Sequence, residues 1–351
     1  MSKTVVLGMS GGVDSSVAVY LLQQAGYAVI GVHMQLINSS GQAGEDARQV
    51  AERLHIPFHV LDLRQNFRQT IIEDFVQEYA AGHTPNPCIR CNQQIKFGHL
   101  ADFAQELGAD FLATGHYAQI EHTPEGNAYL KRGQDISKDQ SYFLCQIERS
   151  MLKKILFPLG NYTKDEIRRI ADQLNLPVAQ KPDSQEICFI PDDDYKQFLL
   201  QTMGLAHFKA GDFVNTSGQK LGRHQGIQCY TIGQRKGLGI ALGYPAYVTA
   251  IDAHAATVTL GKQEDLLHNH LLADELNWLV DLPDNQPLAV HAKIRYRAPA
   301  EPAIITKQAP HQVLVAFERP QRAITPGQTV CFYHGDIVLG GGKILQAWTG
   351  Q

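Results

Sequence analysis

The sequence predicts an α/β fold: a doubly wound parallel sheet, then a small adaptor domain and a C-terminal β-barrel. Three observations carry this. Apolar strand-like segments alternate with helical periodicity from Thr4 to Gly115, the pattern of helical crossovers covering both faces of a parallel sheet. A glycine-rich turn, Gly8-Met9-Ser10-Gly11-Gly12, links the first strand to the first helix. Beyond Met203-Gly204 the helical character ends, and short β-type segments follow, punctuated by glycine and proline.

Taken in order, the spacing predicts strands over 4–9, 27–34, 58–62 and 110–115, with helices over 13–25, 44–55, 66–81 and 93–107 between them. Segments 117–121 and 128–132 flank the turn-forming run Thr123-Pro124-Glu125-Gly126-Asn127 and read as a hairpin. Thr163-Lys164-Asp165-Glu166 has the spacing of a capping box and starts a further helix. Later β segments fall at 247–251, 290–296, 312–317 and 329–333, and no internal repeat is visible. These patterns set three domains at 1–203, 204–268 and 269–351.

A length of 351 residues suits two or three domains, each able to bury a core without disulfide staples. Hydrophobic residues at 44% and charged residues at 19% exclude the disordered class. No apolar run approaches the roughly 20 residues that span a bilayer, so no membrane partner is expected. Met1-Ser2-Lys3-Thr4 runs directly into Val5-Val6-Leu7, leaving no room for a leader, so a cytoplasmic location is expected. Six cysteines in such a compartment read first as reactive thiols or metal ligands. A net charge of −4 and a pI near 6.4 give no global attraction for nucleic acid, so any RNA would be held by local basic patches.

The turn Gly8-Met9-Ser10-Gly11-Gly12-Val13-Asp14-Ser15-Ser16 suits phosphate binding: glycines bring backbone N–H groups close, and a helix N-terminus adds positive potential. Ser10, Ser15 and Ser16 supply hydroxyls, and Asp14 suits a magnesium ion that offsets pyrophosphate charge. The Gly-Lys-Ser/Thr ending of the Walker loop, with its lysine, is missing. The run instead resembles the PP-loop of the N-type ATP pyrophosphatases, adenine nucleotide alpha hydrolase-like folds that hold pyrophosphate while AMP is transferred to a substrate oxygen. The competing reading is a bare strand-to-helix turn of a flavodoxin-like fold. Met34 ends a strand at the carboxyl edge, where ligands of open sheets bind, and is a candidate adenine contact. Ala113-Thr114-Gly115-His116-Tyr117 closes a strand at the same edge, so Gly115 is placed to approach nucleotide and His116 to face substrate.

Two loop segments carry thiols. Thr84-Pro85-Asn86-Pro87-Cys88-Ile89-Arg90-Cys91-Asn92 is kept non-helical by its prolines, and Cys91 precedes a helix whose dipole, aided by Arg90, favours the thiolate. Asp183-Ser184-Gln185-Glu186-Ile187-Cys188-Phe189-Ile190-Pro191 carries Cys188. Cys145, Cys229 and Cys331 lie among apolar neighbours and read as small buried residues.

Together with Ile95-Lys96-Phe97, Ser137-Lys138-Asp139-Gln140-Ser141-Tyr142 and Thr231-Ile232-Gly233-Gln234-Arg235-Lys236-Gly237-Leu238-Gly239, these segments resemble, in order, the tRNA-specific 2-thiouridylases of the MnmA/TrmU family. The resemblance runs from Val5 to about Gly342. It implies ATP-dependent adenylation of the C2 oxygen of the wobble uridine in tRNAs for Lys, Glu and Gln, read at the anticodon stem-loop, and replacement of that oxygen by sulfur. It also implies that Gly8, Met9, Ser10, Gly11, Gly12, Val13, Asp14 and Ser15 bind ATP with Met34 and Gly115. Cys188 then matches the persulfide carrier and Cys91 the nucleophile that releases its sulfur, in keeping with thiol–disulfide exchange. Asn86, Pro87 and Cys88 match the contact to the target base, and His116, Lys138, Asp139, Gln140, Arg295, Tyr296 and Gln328 match tRNA contacts. Sulfur would come from a persulfide donor, such as a cysteine desulfurase or a sulfur-relay protein. Arg235-Lys236 and Lys293-Ile294-Arg295-Tyr296-Arg297 add local basic clusters that suit phosphates. The uridine must flip out of its stack to react.

One departure stands out: many members carry Asp where this chain has Cys88. Cys88, Cys91 and Cys188 then make three thiolates, the number that holds a 4Fe-4S cluster with one open iron. The other reading makes Cys88 a packing residue or an alternative resolving thiol. An amidotransferase-type PP-loop enzyme would need no such cysteines, and a plain RNA-binding module would not need the intact loop.

Overall fold

The computed structural model describes residues 2–38, 41–182, 187–283 and 286–350. β1 (Thr4–Gly8) leads through the glycine turn into α1 (Val13–Gln24), followed by β2 (Ala28–Gln35), α2 (Gln42–Arg53) and β3 (Phe58–Asp62). A single helical run then comprises α3 (Arg64–Phe67), the wider π-type turns of Arg68–Ile72, and α4 (Glu73–Ala80). A second run comprises α5 (Pro87–Cys91), π-type turns over Asn92–His99, and α6 (Leu100–Glu106). β4 (Phe111–Thr114), the hairpin β5 (Ala118–His122) and β6 (Ala128–Arg132), and the short β7 (Ile155–Leu156) come next.

β3, β2, β1, β4 and β7 form one sheet in that order, every pair parallel. Successive side chains of a strand point to opposite faces, and β1 shows the consequence. Val5 and Leu7 join Val17, Leu22 and Ile167 on one face, while Val6 joins Leu100, Leu112 and Tyr142 on the other. Helix α7 (Lys164–Gln173) packs beside α1 and begins with the expected capping box: Glu166 N–H donates to Thr163 Oγ1, and Thr163 N–H to Glu166 Oε2. α8 (Tyr195–Met203) closes the first region.

A four-stranded sheet follows, made of β8 (Gly211–Asn215), β9 (Lys220–His224), β10 (Tyr247–Asp252) and β11 (Thr257–Gly261), in the order β10-β11-β8-β9 with its own core around Phe213, Val248 and Val258. The last strands are β12 (Leu267–Trp278), β13 (Leu288–Lys293), β14 (Glu301–Ala309), β15 (Gln312–Arg322), β16 (Thr329–His334) and β17 (Ile337–Trp348). They run β12-β15-β14-β13-β16-β17, and a β12–β17 pairing closes them into a six-stranded barrel, as expected.

Three features differ from the sequence reading. The β5–β6 hairpin forms, but it extends the barrel, with Lys131 of β6 opposite Ile337 of β17. The second helical run starts at Pro87, so Cys88 and Cys91 lie on helix α5 rather than in a loop; proline is accommodated at the first helical position, where its missing N–H has no intrahelical partner to lose. β13 ends at Lys293, which leaves Arg295 and Tyr296 in the bend beyond it. Among the described residues no helix is long and apolar enough to cross a membrane.

Candidate active site at the carboxyl edge of the sheet

β1 ends where α1 begins, so the turn between them sits at the carboxyl edge of the sheet. Gly12 is the N-cap of α1 and offers no side-chain cap, so the first N–H groups of the helix are left for a ligand. Gly11 has φ +71°, and a Cβ there would collide with the Ala43 carbonyl of α2; only glycine fits. Ser15 Oγ lies 3.2 Å from both the N–H and the Oγ of exposed Ser10, holding the loop open. Met9 and Val13 are buried, so they offer the site backbone only.

Three of the expected site residues are engaged within the protein. Ser16 is buried and its Oγ donates to Gly12 O at 2.7 Å, bracing the loop from behind. Asp14 Oδ1 accepts from Lys164 Nζ at 2.7 Å and from Tyr117 Oη at 2.8 Å, so this carboxylate ties α1 to α7 and to the connection between β4 and β5. A Cβ on Gly115 would stand 3.0 Å from Ser15 N, so this glycine lets the end of β4 press against the phosphate loop. Met34 is half-buried at the end of β2, between the main core and the aromatic cluster that holds Cys91.

That cluster assembles the thiols. Phe189 inserts edge-on against Phe67 at 5.6 Å and Phe75 at 5.4 Å, beside Cys91 and Ile95. Burying Phe189 delivers its neighbour Cys188 to α5. Residues three apart share a helix face, so Cys88 and Cys91 meet Cys188 together. Asp183, Ser184, Gln185 and Glu186 lie outside the described residues. Cys88 and Cys188 are exposed, and Cys91 is buried.

Desolvation by the protein packed around them raises all three thiols above their ordinary range, Cys91, which is itself buried, to about 12, and Lys96 opposes the rise at each. A charge on Cys88 or Cys188 would raise Cys91 further, which places the three sulfurs within electrostatic reach of one another. The expected lowering of Cys91 by the helix dipole and Arg90 is therefore reversed. Cys91 sits at the end of α5 within a continuous helical run, not before a free N-terminus, and Arg90 turns away to Asp74 at 3.4 Å and Glu275 at 3.5 Å. Among the described residues no group of three or more His, Cys, Asp or Glu is placed to hold a metal ion, so the cysteine trio does not fit a cluster.

Lys96 is held by His116, whose Nε2 lies 3.4 Å from Nζ and whose Nδ1 lies 2.7 Å from Thr114 Oγ1. His116 is buried against Phe97 and Phe157. Desolvation first, and Lys96 second, hold it well below the ordinary imidazole pKa, so it stays neutral and accepts from Lys96. It is an internal support, not a surface contact.

Most other candidate tRNA contacts are also bonded inside the protein. Asn86 is the N-cap of α5 and Pro87 is buried at its first turn. Asp139 is buried and accepts from Gly133 N, Ser141 N and Ser141 Oγ, while Gln140 Oε1 accepts from Tyr117 N. Lys138 is half-buried beside this turn. Arg295 donates to Ala323 O and, at 2.6 Å, to Thr325 Oγ1. Tyr296 packs on Phe143 with centroids 4.4 Å apart, and the buried Lys293 ammonium lies over Tyr296 at 5.5 Å. Gln328 Nε2 donates to Thr84 O at 2.8 Å and Pro85 O at 3.2 Å, so the barrel grips the chain just before α5. Arg235 and Lys236 are exposed. Cys145 and Cys331 are buried as expected, whereas Cys229 is only half-buried.

Lys96 lies two helical turns after Cys88, a spacing that signals a shared helix face. The parts played by Lys164, Tyr117 and Phe189 have no such local signal, because only the fold brings them to the loop and the thiols.

Comparison with known proteins agrees with this geometry. Three domain families match in succession: tRNA methyl transferase HUP domain over residues 3–192, tRNA methyl transferase PRC-barrel domain over 196–262, and aminomethyltransferase beta-barrel domain over 268–344. The tRNA-specific 2-thiouridylase MnmA of Lachnoclostridium phytofermentans is 47% identical, covering 98% of this chain and all of that protein. Its counterpart in Heliobacterium modesticaldum is 49% identical over 99% of this chain and 93% of that one. A solved 4-thiouridine synthetase–RNA complex with bound ATP is a remote likeness, at 19% identity and a TM-score of 0.37, covering 57% of this chain and 50% of that chain. With a phosphate loop and three gathered thiols at one sheet edge, and near half-identity to these relatives along almost its whole length, the chain belongs to the tRNA-specific 2-thiouridylase family.

Proposed function

We propose that this chain converts the wobble uridine of tRNAs for Lys, Glu and Gln to 2-thiouridine, using ATP and a persulfide on Cys188. The observation that carries the proposal is the meeting of Cys88, Cys91 and Cys188 beside Lys96, one buried residue away from the phosphate loop. Gly115 presses on that loop while its neighbour His116 holds Lys96.

In the first step the uridine C2 oxygen attacks the α-phosphorus of ATP, and the bond to the bridging oxygen breaks with release of pyrophosphate. The loop amides of Gly11 to Ser15 stabilise the leaving charge. Magnesium, when it accompanies ATP, offsets further phosphate charge; with Asp14 occupied by Lys164 and Tyr117, its ligands would be mainly phosphate oxygens and water. In the second step the terminal sulfur of the Cys188 persulfide attacks C2 and AMP leaves with its oxygen. Cys91, protonated at rest because burial raises its thiol, gives up its proton to solvent as its sulfur attacks that of Cys188; the S–S bond to the tRNA sulfur breaks, and 2-thiouridine departs as a Cys91–Cys188 disulfide forms. A dithiol reductant restores both thiols, and a persulfide donor reloads Cys188.

The persulfide route is favoured over an iron–sulfur one because, among the described residues, no three cysteines are placed to hold a metal, and Cys88, exposed like Cys188, suits an alternative resolving thiol. Replacing Cys188→Ala is expected to abolish 2-thiouridine while tRNA-dependent release of pyrophosphate from ATP continues. Mass spectrometry of tRNA nucleosides from cells carrying only that variant checks it; normal thiolation there would sink the proposal.

A further inference from the structure

The phosphate loop lacks the lysine that ends a Walker loop. A lysine nonetheless reaches it from a distant part of the chain. Lys181, beyond α7, donates to the Gly11 carbonyl at 3.0 Å and to Asp46 Oδ2 of α2 at 2.7 Å. Its own carbonyl accepts from Arg168 at 3.5 Å, which fixes the main chain there. An ammonium carries three donors, of which these bonds use two, and the Lys181 side chain is 38% exposed at the loop.

The other lysines near the site are committed elsewhere. Lys164 is 9% exposed with Nζ on Asp14, and Lys96 serves the thiols and His116. Asp46 has the character of a placeholder. It is 16% exposed, its second carboxylate oxygen accepts from Gln42, and its hydrogen bond to Lys181 holds its carboxyl below the usual range. An anion in the loop would offer Lys181 a second acceptor with more charge.

We propose that Lys181 is the phosphate-binding lysine of this site, supplying from beyond α7 the charge that the loop itself lacks and neutralising the pyrophosphate as it leaves. The inference rests on the adenylation reading above. When the bond from the α-phosphorus to the bridging oxygen breaks, pyrophosphate keeps the electron pair. Lys181 meets that growing charge by hydrogen bonding, with no proton transfer required.

Calorimetric titration of the full chain with ATP, inorganic pyrophosphate and AMP tests this on Lys181→Met, Lys181→Gln, Lys181→Arg and Asp46→Asn. Removing the charge, as Met or as Gln, is expected to weaken ATP and pyrophosphate about 10- to 100-fold, the worth of one charge-assisted hydrogen bond, and to leave AMP within about twofold. Lys181→Arg should recover most of the loss. Asp46→Asn breaks the same strap but keeps the cation, so it should bind ATP as well as the parent does. Intact AMP binding shows that a variant is folded, and Gln, which can still bond to Gly11 O, covers a failure of Met to fold. The proposal is overturned if Asp46→Asn loses ATP as Lys181→Met does, which would make Lys181 a strap only, or if both uncharged variants bind ATP normally. A parent protein that binds neither ATP nor pyrophosphate would overturn the adenylation reading, and the role of Lys181 with it.

Discussion

His116 shows how a single side chain can be placed by the sequence and assigned only by its surroundings. Its position after Gly115 put it at the sheet edge, yet burial and two internal hydrogen bonds make it a neutral brace between Thr114 and Lys96. This has a consequence for pH. A histidine whose folded pKa is depressed binds its proton more readily when unfolded, so the stability it contributes is present above the unfolded value and is lost as pH falls through it. The resistance of the parent to urea is expected to fall as pH drops below about 6.5, and His116→Gln should flatten that part of the profile; an unchanged slope would contradict the assignment. Glu78 acts in a separate window. Burial alone would raise its carboxyl, but hydrogen bonds from His83 and Lys343 override it and bring it to about 2, from 4.5. Its contribution is present above 4.5 and is lost as pH falls toward 2.

At the scale of elements, α5 carries two of the three gathered thiols, and it is held from both ends. Pro87 starts it, Asn92 Nδ2 donates to Phe143 O just after it, and the barrel grips Thr84 and Pro85 just before it through Gln328. Gln328→Ala removes two bonds to that segment and is expected to slow thiolation about tenfold, equivalent to ~1.4 kcal/mol, with ATP affinity unchanged. Single-turnover thiolation beside nucleotide titration checks this, and a matching loss of ATP affinity would contradict it. The capping box of α7 is the contrasting case. Thr163 and Glu166 announce that helix start in the sequence because both partners lie within four residues. Thr163→Ala should cost roughly 1 kcal/mol, measured by chemical unfolding, without touching the thiols.

Across the whole molecule, the first region and the barrel share a core. Leu130, Tyr142 and Cys145 from one are buried with Leu279, Cys331, Tyr333 and Val338 from the other, and Tyr142 Oη donates to Thr329 O across the seam. The middle sheet instead has a core of its own. Scanning calorimetry is expected to show the first region and the barrel unfolding in one transition, with only the middle sheet able to melt apart; a separate barrel transition would contradict this. The same shared core explains the hairpin. Alternating residues fixed β5 and β6, but nothing local says whether such a pair stands alone or extends another sheet, because the pairing of Lys131 with Ile337 joins residues far apart in the chain.

The sequence by itself determined what depends on neighbours in the chain: the strand–loop–helix order of the parallel sheet, the glycine-rich turn between its first strand and first helix, the capping box, and the segments that carry Cys88, Cys91 and Cys188. Tertiary structure decided which side chains face the site and in what state. It turned Asp14 to Lys164 and Tyr117, drew Lys181 to Gly11, buried His116, and raised the Cys91 thiol where a helix dipole alone would have lowered it. The physical reason is that backbone conformation and periodicity are set over a few residues. Desolvation, charge pairing and hydrogen-bond partners depend instead on whatever the folded chain brings within a few ångströms, however distant in sequence.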